Sequence, residues 1–423
     1  MSSANERGCD FPLQNLPFCV FGTPAGEWDL GVGIGDFIVD LHGIAGSGVC
    51  DPLEEDIREA CTAGHLNALM ECGGPANSLL RRTLMLLLRD GADAAHRRVI
   101  EAHLYPRLGA VFRKPVRVGN YSDFYASIHH ATNVGRLLRP DQPLLPNYKF
   151  LPIGYHGRAS SLVVSGTPVV RPRGQIALSF GGAPVFEASR QLDYELEVGA
   201  YVGLGNSLGY PIPIDKAEDY LFGISLVNDW SARDIQSWEY QPLGPFLGKS
   251  FLTSISPWVV TVDALEPFRV PSAARQAGDP QPLPYLCSPT SATAAFDVRL
   301  EVHLSTAAMR VADDAPVKLS SGNLRELYWS FAQMITHHSS NGCNLLPGDL
   351  LASGTVSGAE EGSQGSLLEI TRRGSTPLKL RNGETRSFLE DGDEVTLHGF
   401  CERPGQPRIG LGECRGVIAS STA

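Results

Sequence analysis

Residues 192–199 read LDYELEVG, with Asp193, Glu195 and Glu197 at every second position of an otherwise apolar run. A strand sends successive side chains to opposite faces. The three acids then share one face, and Leu192, Tyr194, Leu196 and Val198 share the other. A rim strand with one wet face has this pattern. So does a strand whose acidic face holds a cation, because stacked carboxylates repel one another and need an offsetting charge.

The rest of the chain extends the strand reading. Glycine (45) and proline (30) are spread through all 423 residues, as suits a β-rich protein with many turns. FDVRLEVHLS (296–305) alternates cleanly, with Phe296, Val298, Leu300, Val302 and Leu304 on one face. SLVVSGTPVVRP (161–172) reads as a hairpin. The first part of the chain has another texture. Short glycine-punctuated β pieces, FCVFGTP and LGVGIGDFIVDL, precede helical stretches at 51–70 and 78–91, the second closed by Gly91 as a C-cap. NLRELYWSFAQMITHHSS (323–340) reads as a helix started by an Asn323–Glu326 capping box.

Composition narrows the function classes. Hydrophobic residues make up 43% and charged residues 19%, as in a globular chain with a real core, and the length suggests two or three domains. The net charge of −11 argues against nucleic acid and anionic membranes as partners. Nine scattered cysteines form neither a C-x-x-C pair nor a zinc spacing, which fits free thiols in a reducing compartment. There is no signal-peptide pattern at the N-terminus and no apolar run near the ~20 residues of a membrane span, so a cytoplasmic protein is expected. GNSLG (205–209) matches the serine-hydrolase elbow, but Pro211 and Pro213 forbid the helix that must follow, so Ser207 is read as a turn residue.

Three stretches gather side chains suited to chemistry. YSDFYASIHHATN (121–133) offers Asp123 as an oxygen ligand, with Tyr125 and one of His129 or His130 toward a substrate. In NDWSARDIQSWEY (228–240), Asp229, Arg233, Gln236 and Tyr240 fall at helical spacing, with Asn228 or Ser231 as a cap. In PLGPFLGKSFLTSISPW (242–258), Lys249 sits among Phe246, Leu247 and Phe251, with Thr253 four residues on. Asp123, Glu195, Glu197 and Asp229 are hard oxygen donors, a set that suits Ca²⁺ or Mg²⁺ rather than zinc or copper.

Together with LPIGYHGRASSLVVSGTP (151–168), THHSSNGCNLLPGDLLASGTVSG (336–358) and LEDGDEV (389–395), these runs resemble the fumarylacetoacetate hydrolase family, in its longer form with an extra N-terminal domain. The resemblance implies a mainly β protein with some α: an SH3-like N-terminal barrel over 1–118 and a catalytic mixed β-roll over 119–423. It implies a homodimer and a small diketo-acid substrate, 4-fumarylacetoacetate, cleaved by water at a carbon–carbon bond to fumarate and acetoacetate. It implies Ca²⁺ on Asp123, Glu195, Glu197 and Asp229, and a structural Mg²⁺ near Asp229, the Lys249 carbonyl and Thr253. Tyr125, Arg139, Gln236, Tyr240 and Thr355 match substrate contacts. His130 matches the general base, Glu369 in GSLLEI the acid that orients it, and Arg233, Gln236 and Lys249 the stabilisers of developing negative charge. His129, His156, His337 and His338 receive no role. An acylpyruvate hydrolase or oxaloacetate decarboxylase is the nearest rival, disfavoured by the length and by the His130–Glu369 pair. A binding protein without activity would be expected to have lost some of these positions.

Overall fold

The computed structural model describes residues 2–178, 182–288 and 292–422. Its frame is two stacked β systems with a smaller sheet at the N-terminus. The central sheet has the order Gly154–His156, Tyr121–Phe124, Leu350–Ala352, Leu196–Val202, Leu221–Asp229, Thr253–Ile255, Leu162–Val164, with Val260–Thr261 also on Leu221–Asp229. A five-stranded sheet, Val317–Asn323, Arg299–Ser305, Glu394–Cys401, Ile409–Ala419, Val169–Val170, packs against it. Leu226 of the first sheet and Leu300, Leu397 and Leu411 of the second lie in one buried core. Gly399 lets the layers approach: a Cβ there would stand 2.9 Å from a Leu226 methyl. The alternation at 296–305 is realised, since Phe296, Val298, Leu300, Val302 and Leu304 are all buried.

LDYELEVG is strand, but neither of its faces is wet. Leu192–Asp193 pairs with Ser231–Ala232, and Leu196–Val202 pairs with Leu221–Asp229. The chain leaves the ladder at Tyr194 and Glu195, and every residue from 192 to 200 is buried. Solvation therefore does not account for the acids.

Five local expectations change. The stretch expected to be helical over 51–70 forms two short helices, Glu55–Cys61 and Asn67–Glu71. The expected hairpin at 161–172 is a crossover: Leu162–Val164 runs parallel to Thr253–Ile255, whereas Val169–Val170 joins Ile409–Ala419 in the other sheet. The helix expected over 323–340 covers only Phe331–Ser339; its capping box is Ser330 with Gln333, and Asn323 caps a single 3-10 turn. The 78–91 helix stops at Leu88, and Gly91 (φ +78) lies in the turn beyond the cap. Asp229 ends a strand, the helix after it spans Arg233–Glu239, and neither Asn228 nor Ser231 caps it.

The N-terminal sheet runs Leu104–Pro106, Phe37–Asp40, Trp28–Ile34, Phe18–Gly22, Phe112–Arg113. Its two edge strands are not paired with each other, and Phe112–Arg113 has only two residues, so the closed barrel expected for this region is not formed. The sheet is tied to the rest of the chain. Phe18 and Val259 exchange backbone hydrogen bonds of 2.9 and 2.8 Å, and Trp258 stacks edgewise on Phe11 and Phe112. Among the described residues no helix is long and apolar enough to cross a membrane.

Candidate active site and metal centre

Register places the acids. Asp123 sits opposite Ala352 on one side and Tyr155 on the other, Glu197 opposite Val227, and Asp229 opposite Thr253. One carboxylate oxygen from each of Asp123, Glu197 and Asp229 lies within 4.8 Å of the other two. The Asp123 Oδ1 atom and both Glu197 oxygens are buried without any hydrogen-bond partner. Leaving an ionised carboxylate in that condition costs several kcal/mol. Asp229 is better served: Thr253 Oγ1 donates to it at 2.6 Å, Lys249 Nζ at 2.7 Å and the Tyr155 hydroxyl at 3.0 Å.

Glu195 lies beside this group with both oxygens engaged. Arg233 Nη1 donates to Oε1 at 2.7 Å, and Lys249 Nζ donates to Oε2. Arg233 also donates through Nε to Asp193 Oδ2 at 2.9 Å, and Asp193 accepts from the Leu367 and Leu368 backbone amides. Asp193 therefore serves Arg233 rather than the acidic group. Five buried carboxylates, Asp123, Asp193, Glu195, Glu197 and Asp229, thus face two buried cations, Arg233 and Lys249. Five against two leaves three negative charges uncompensated, of which one divalent cation would offset two, and the donors are all oxygen, as Ca²⁺ and Mg²⁺ require.

The same imbalance shows in the acidities. Burial, and then Asp229, push the Asp123 carboxyl well above its usual range. Burial, and then Asp123 and Asp229, do the same for Glu197. Burial would also raise Glu195, but Lys249 and then Arg233 outweigh it and hold the group below its ordinary value. The raised pair predicts an unusual pH response. Without a cation the folded protein binds more protons than the unfolded chain once pH passes the ordinary carboxylate values of 3.8 and 4.5. The stability of the neutral pair is complete below those values and is lost as pH rises through the folded-state values. Chelator-treated protein should therefore melt at a lower temperature near about pH 8 than near about pH 5. Ca²⁺ should narrow the gap, and an unchanged gap would contradict the assignment.

A helix from Ile128 to Leu138 brings in the histidine. Ser127 caps it, accepting from the His130 amide at 3.2 Å. The buried His130 ring donates from Nδ1 to Glu369 Oε2 at 2.7 Å, which leaves Nε2 as the lone-pair nitrogen. Glu369 sits on the Leu367–Ile370 turn and also accepts from Asn133 (2.9 Å), Ser357 (3.0 Å) and Ser366 (2.8 Å). Burial would raise its pKa, yet the neighbouring His130 ring and the Asn133 and Ser366 donors hold it below the ordinary value. His129 turns the other way: its Nε2 lies 3.8 Å from Glu326, and the ring lines a separate cavity with Arg325 and Tyr328. The two adjacent rings thus face different cavities.

A cavity of about 500 Å³ unites these parts. Asp123, Glu195, Glu197, His130, Arg233 and Lys249 line it, as do Tyr125, Arg139, Gln236, Tyr240 and Thr355. Asp229, Thr253 and Glu369 stand behind that lining. Burial pushes the Tyr125 hydroxyl up, so it remains a donor at neutral pH. The Arg139 Nε and Thr355 Oγ1 atoms are buried without partners. Sequence reading did not single out Asn133 on the Ile128–Leu138 helix, Tyr155 on the Gly154–His156 strand, or the loop residues Ser357 and Ser366, none of which stands in a periodic pattern. Ser207 lies in a turn with no helix after it.

Known proteins resemble this chain along nearly its whole length. The family model described as "Fumarylacetoacetate (FAA) hydrolase C-terminal" matches residues 120–419, and "Fumarylacetoacetase N-terminal" matches residues 14–110. The fumarylacetoacetase of Homo sapiens is 47% identical over 418 residues, spanning 97% of this chain and 96% of that protein. That of Arabidopsis thaliana is 46% identical over 415 residues, with the same coverage. Among solved structures, a fumarylacetoacetate hydrolase from Exiguobacterium antarcticum superposes with a TM-score of 0.51 at 16% identity, covering 96% of this chain and 99% of that one, a likeness of fold.

Proposed function

The chain belongs to the fumarylacetoacetate hydrolase family, and from that premise we propose that it hydrolyses 4-fumarylacetoacetate to fumarate and acetoacetate, the step that ends tyrosine and phenylalanine breakdown. The observation that carries the reading is that His130, backed by Glu369, opens onto the same cavity as Asp123 and Glu197. A 1,3-diketo acid needs an activated water at one carbonyl and a stabilised enolate on the other side of the breaking bond.

In this reading His130 Nε2 takes a proton from water, and Glu369 stabilises the imidazolium and fixes its orientation. The hydroxide adds to the carbonyl carbon next to the double bond. The bond from that carbon to the central methylene breaks, the electron pair leaves as the acetoacetate enolate, and a proton returns to the methylene to make the methyl group. Arg233, Gln236 and Lys249 face the developing negative charge. Arg233 and Lys249 suit this role because carboxylates behind them already fix their positions. Arg139 and Tyr125 take one terminal carboxylate, with Tyr240 and Thr355 completing the contacts. Ca²⁺ on Asp123, Glu195, Glu197 and Asp229 would supply Lewis acidity toward the diketone oxygens. The orphaned oxygens of Asp123 and Glu197 support that ligand set. We assign the structural Mg²⁺ to Asp229, Thr253 and the Lys249 carbonyl.

The same reading divides the chain after residue 118, with an SH3-like sheet left open at one edge before it and the β-roll after it, in a cytoplasmic homodimer. The family matches at 14–110 and 120–419 fall on either side of that division.

Turnover in H₂¹⁸O should give fumarate and acetoacetate in equal amounts with the label in fumarate. Cleavage of an acylpyruvate but not of this substrate would move the function to a sister activity. Glu369→Gln should keep a hydrogen bond to His130 but lose the charge opposite the imidazolium, lowering kcat by about 10²–10³-fold with a smaller change in KM. Wild-type kcat in that variant would remove Glu369 from the chemistry.

A further inference from the structure

Four cationic side chains line the active-site cavity: Arg139, Arg233, Lys249 and Arg373. Arg233 and Lys249 are matched by Asp193, Glu195 and Asp229. Arg139 and Arg373 make no ion pair with any described carboxylate. Two arginines of the lining, Arg139 and the exposed Arg373, are thus without an ion-pair partner, and the substrate proposed above carries two terminal carboxylates. Arg139 accounts for one of them.

The backbone singles out Arg373. It has φ +61 and follows Arg372 at φ +50, two of the four described non-glycine residues in the left-handed region. Glycine adopts that conformation at less cost than any other residue, and the next residue, Gly374 (φ +82), does so. An arginine held there on the cavity lining is backbone strain next to a functional site. The turn that carries it is also well anchored. The Arg373 amide donates to the Leu368 carbonyl at 2.8 Å, and the amides of Leu367 and Leu368 are fixed by Asp193. One short segment therefore positions Glu369 behind the histidine and Arg373 on the cavity wall.

We propose that Arg373 is a second carboxylate-binding residue. It takes the terminal carboxylate not held at Arg139 and makes the site selective for dicarboxylate over monocarboxylate diketo acids. A guanidinium suits this task through its forked, always charged donor set. The inference rests on the hydrolase reading for the identity of the ligand.

The test compares wild type, Arg373→Gly and Arg373→Lys on fumarylacetoacetate and on two analogues that each lack one terminal carboxylate, fumarylacetone and crotonylacetoacetate. Arg373→Gly should melt no lower than wild type, because glycine relieves the positive φ. Its kcat/KM on fumarylacetoacetate should fall by about 10–100-fold, chiefly through KM. One analogue should be equally affected and the other should lose less than about threefold. Arg373→Lys should recover part of the loss. Equal losses on all three compounds, no loss on fumarylacetoacetate, or a lowered melting temperature in Arg373→Gly would overturn the proposal. Calorimetric binding of the three compounds separates this idea from the hydrolase reading. If wild type binds the dicarboxylate in an Arg373-dependent way but does not cleave it, the hydrolase reading falls and the carboxylate site stands. If binding is independent of Arg373, the site falls whatever the turnover.

Discussion

His130→Ala should lower kcat on fumarylacetoacetate by about 10³-fold or more, within the range a positioned general base contributes and toward its upper end because the ring is buried and oriented. The geometry leaves one nitrogen for this work. Nδ1 is committed to Glu369 at 2.7 Å, so only Nε2 can accept a proton from water. The fold should survive. Glu369 keeps Asn133, Ser357 and Ser366 as donors, so its charge is not stranded when the ring is removed. A stability loss of about 1–2 kcal/mol is expected for the missing hydrogen bond and packing. His129→Ala is the control. That ring faces Glu326 on the far side of the helix and does not line the cavity, so activity should change by less than about threefold. The reverse ranking of the two variants would show that the wrong ring has been assigned.

Glu197→Gln should separate cation binding from folding. Both Glu197 oxygens are buried and unpartnered, with Asp123 and Asp229 close by. Removing its charge should weaken Ca²⁺ binding by about 10²-fold, because a neutral amide oxygen is a poorer ligand for a hard cation and the site loses a formal charge. Without any cation the effect on stability reverses. The variant no longer buries one of three crowded carboxylates, and it should melt above chelator-treated wild type. Adding Ca²⁺ should raise wild type and leave the variant nearly unmoved. A calcium titration identical to wild type would remove Glu197 from the metal centre, and lower stability without cation would show that some other charge balances the group.

The parts of this account legible in the sequence are those written as periodicity or as dense runs of polar side chains. The alternation at 296–305 gave a buried face directly. The acids of LDYELEVG announced themselves by spacing, but spacing cannot say that both faces of the strand are covered, because that depends on which segments pair with it. Asp193 shows the limit. It has the same period as Glu195 and Glu197, yet the break in the ladder at Tyr194 and Glu195 turns it toward Arg233. Asp229 sits at helical spacing from Arg233 in the sequence, yet it reaches the site from the end of a strand. The 161–172 segment reads as a hairpin because both its arms are β-like and glycine lies between them. Its arms instead join two sheets, a long-range choice that no local signal encodes. Edge pairing in the N-terminal sheet is of the same kind. The shell around Glu369 was silent for a different reason: Asn133 reaches it from a distant helix, and Ser357 and Ser366 are common loop residues whose spacing to Glu369 matches no periodic pattern.

The most direct measurement follows the loss of diketone absorbance from fumarylacetoacetate with protein stripped by chelator and then restored with Ca²⁺ or Mg²⁺. Turnover by the protein as isolated, its loss on chelation and its recovery on adding a divalent cation are the expected results. Full turnover with no cation bound would contradict the metal centre, and no turnover under any of these cations would contradict the assigned substrate.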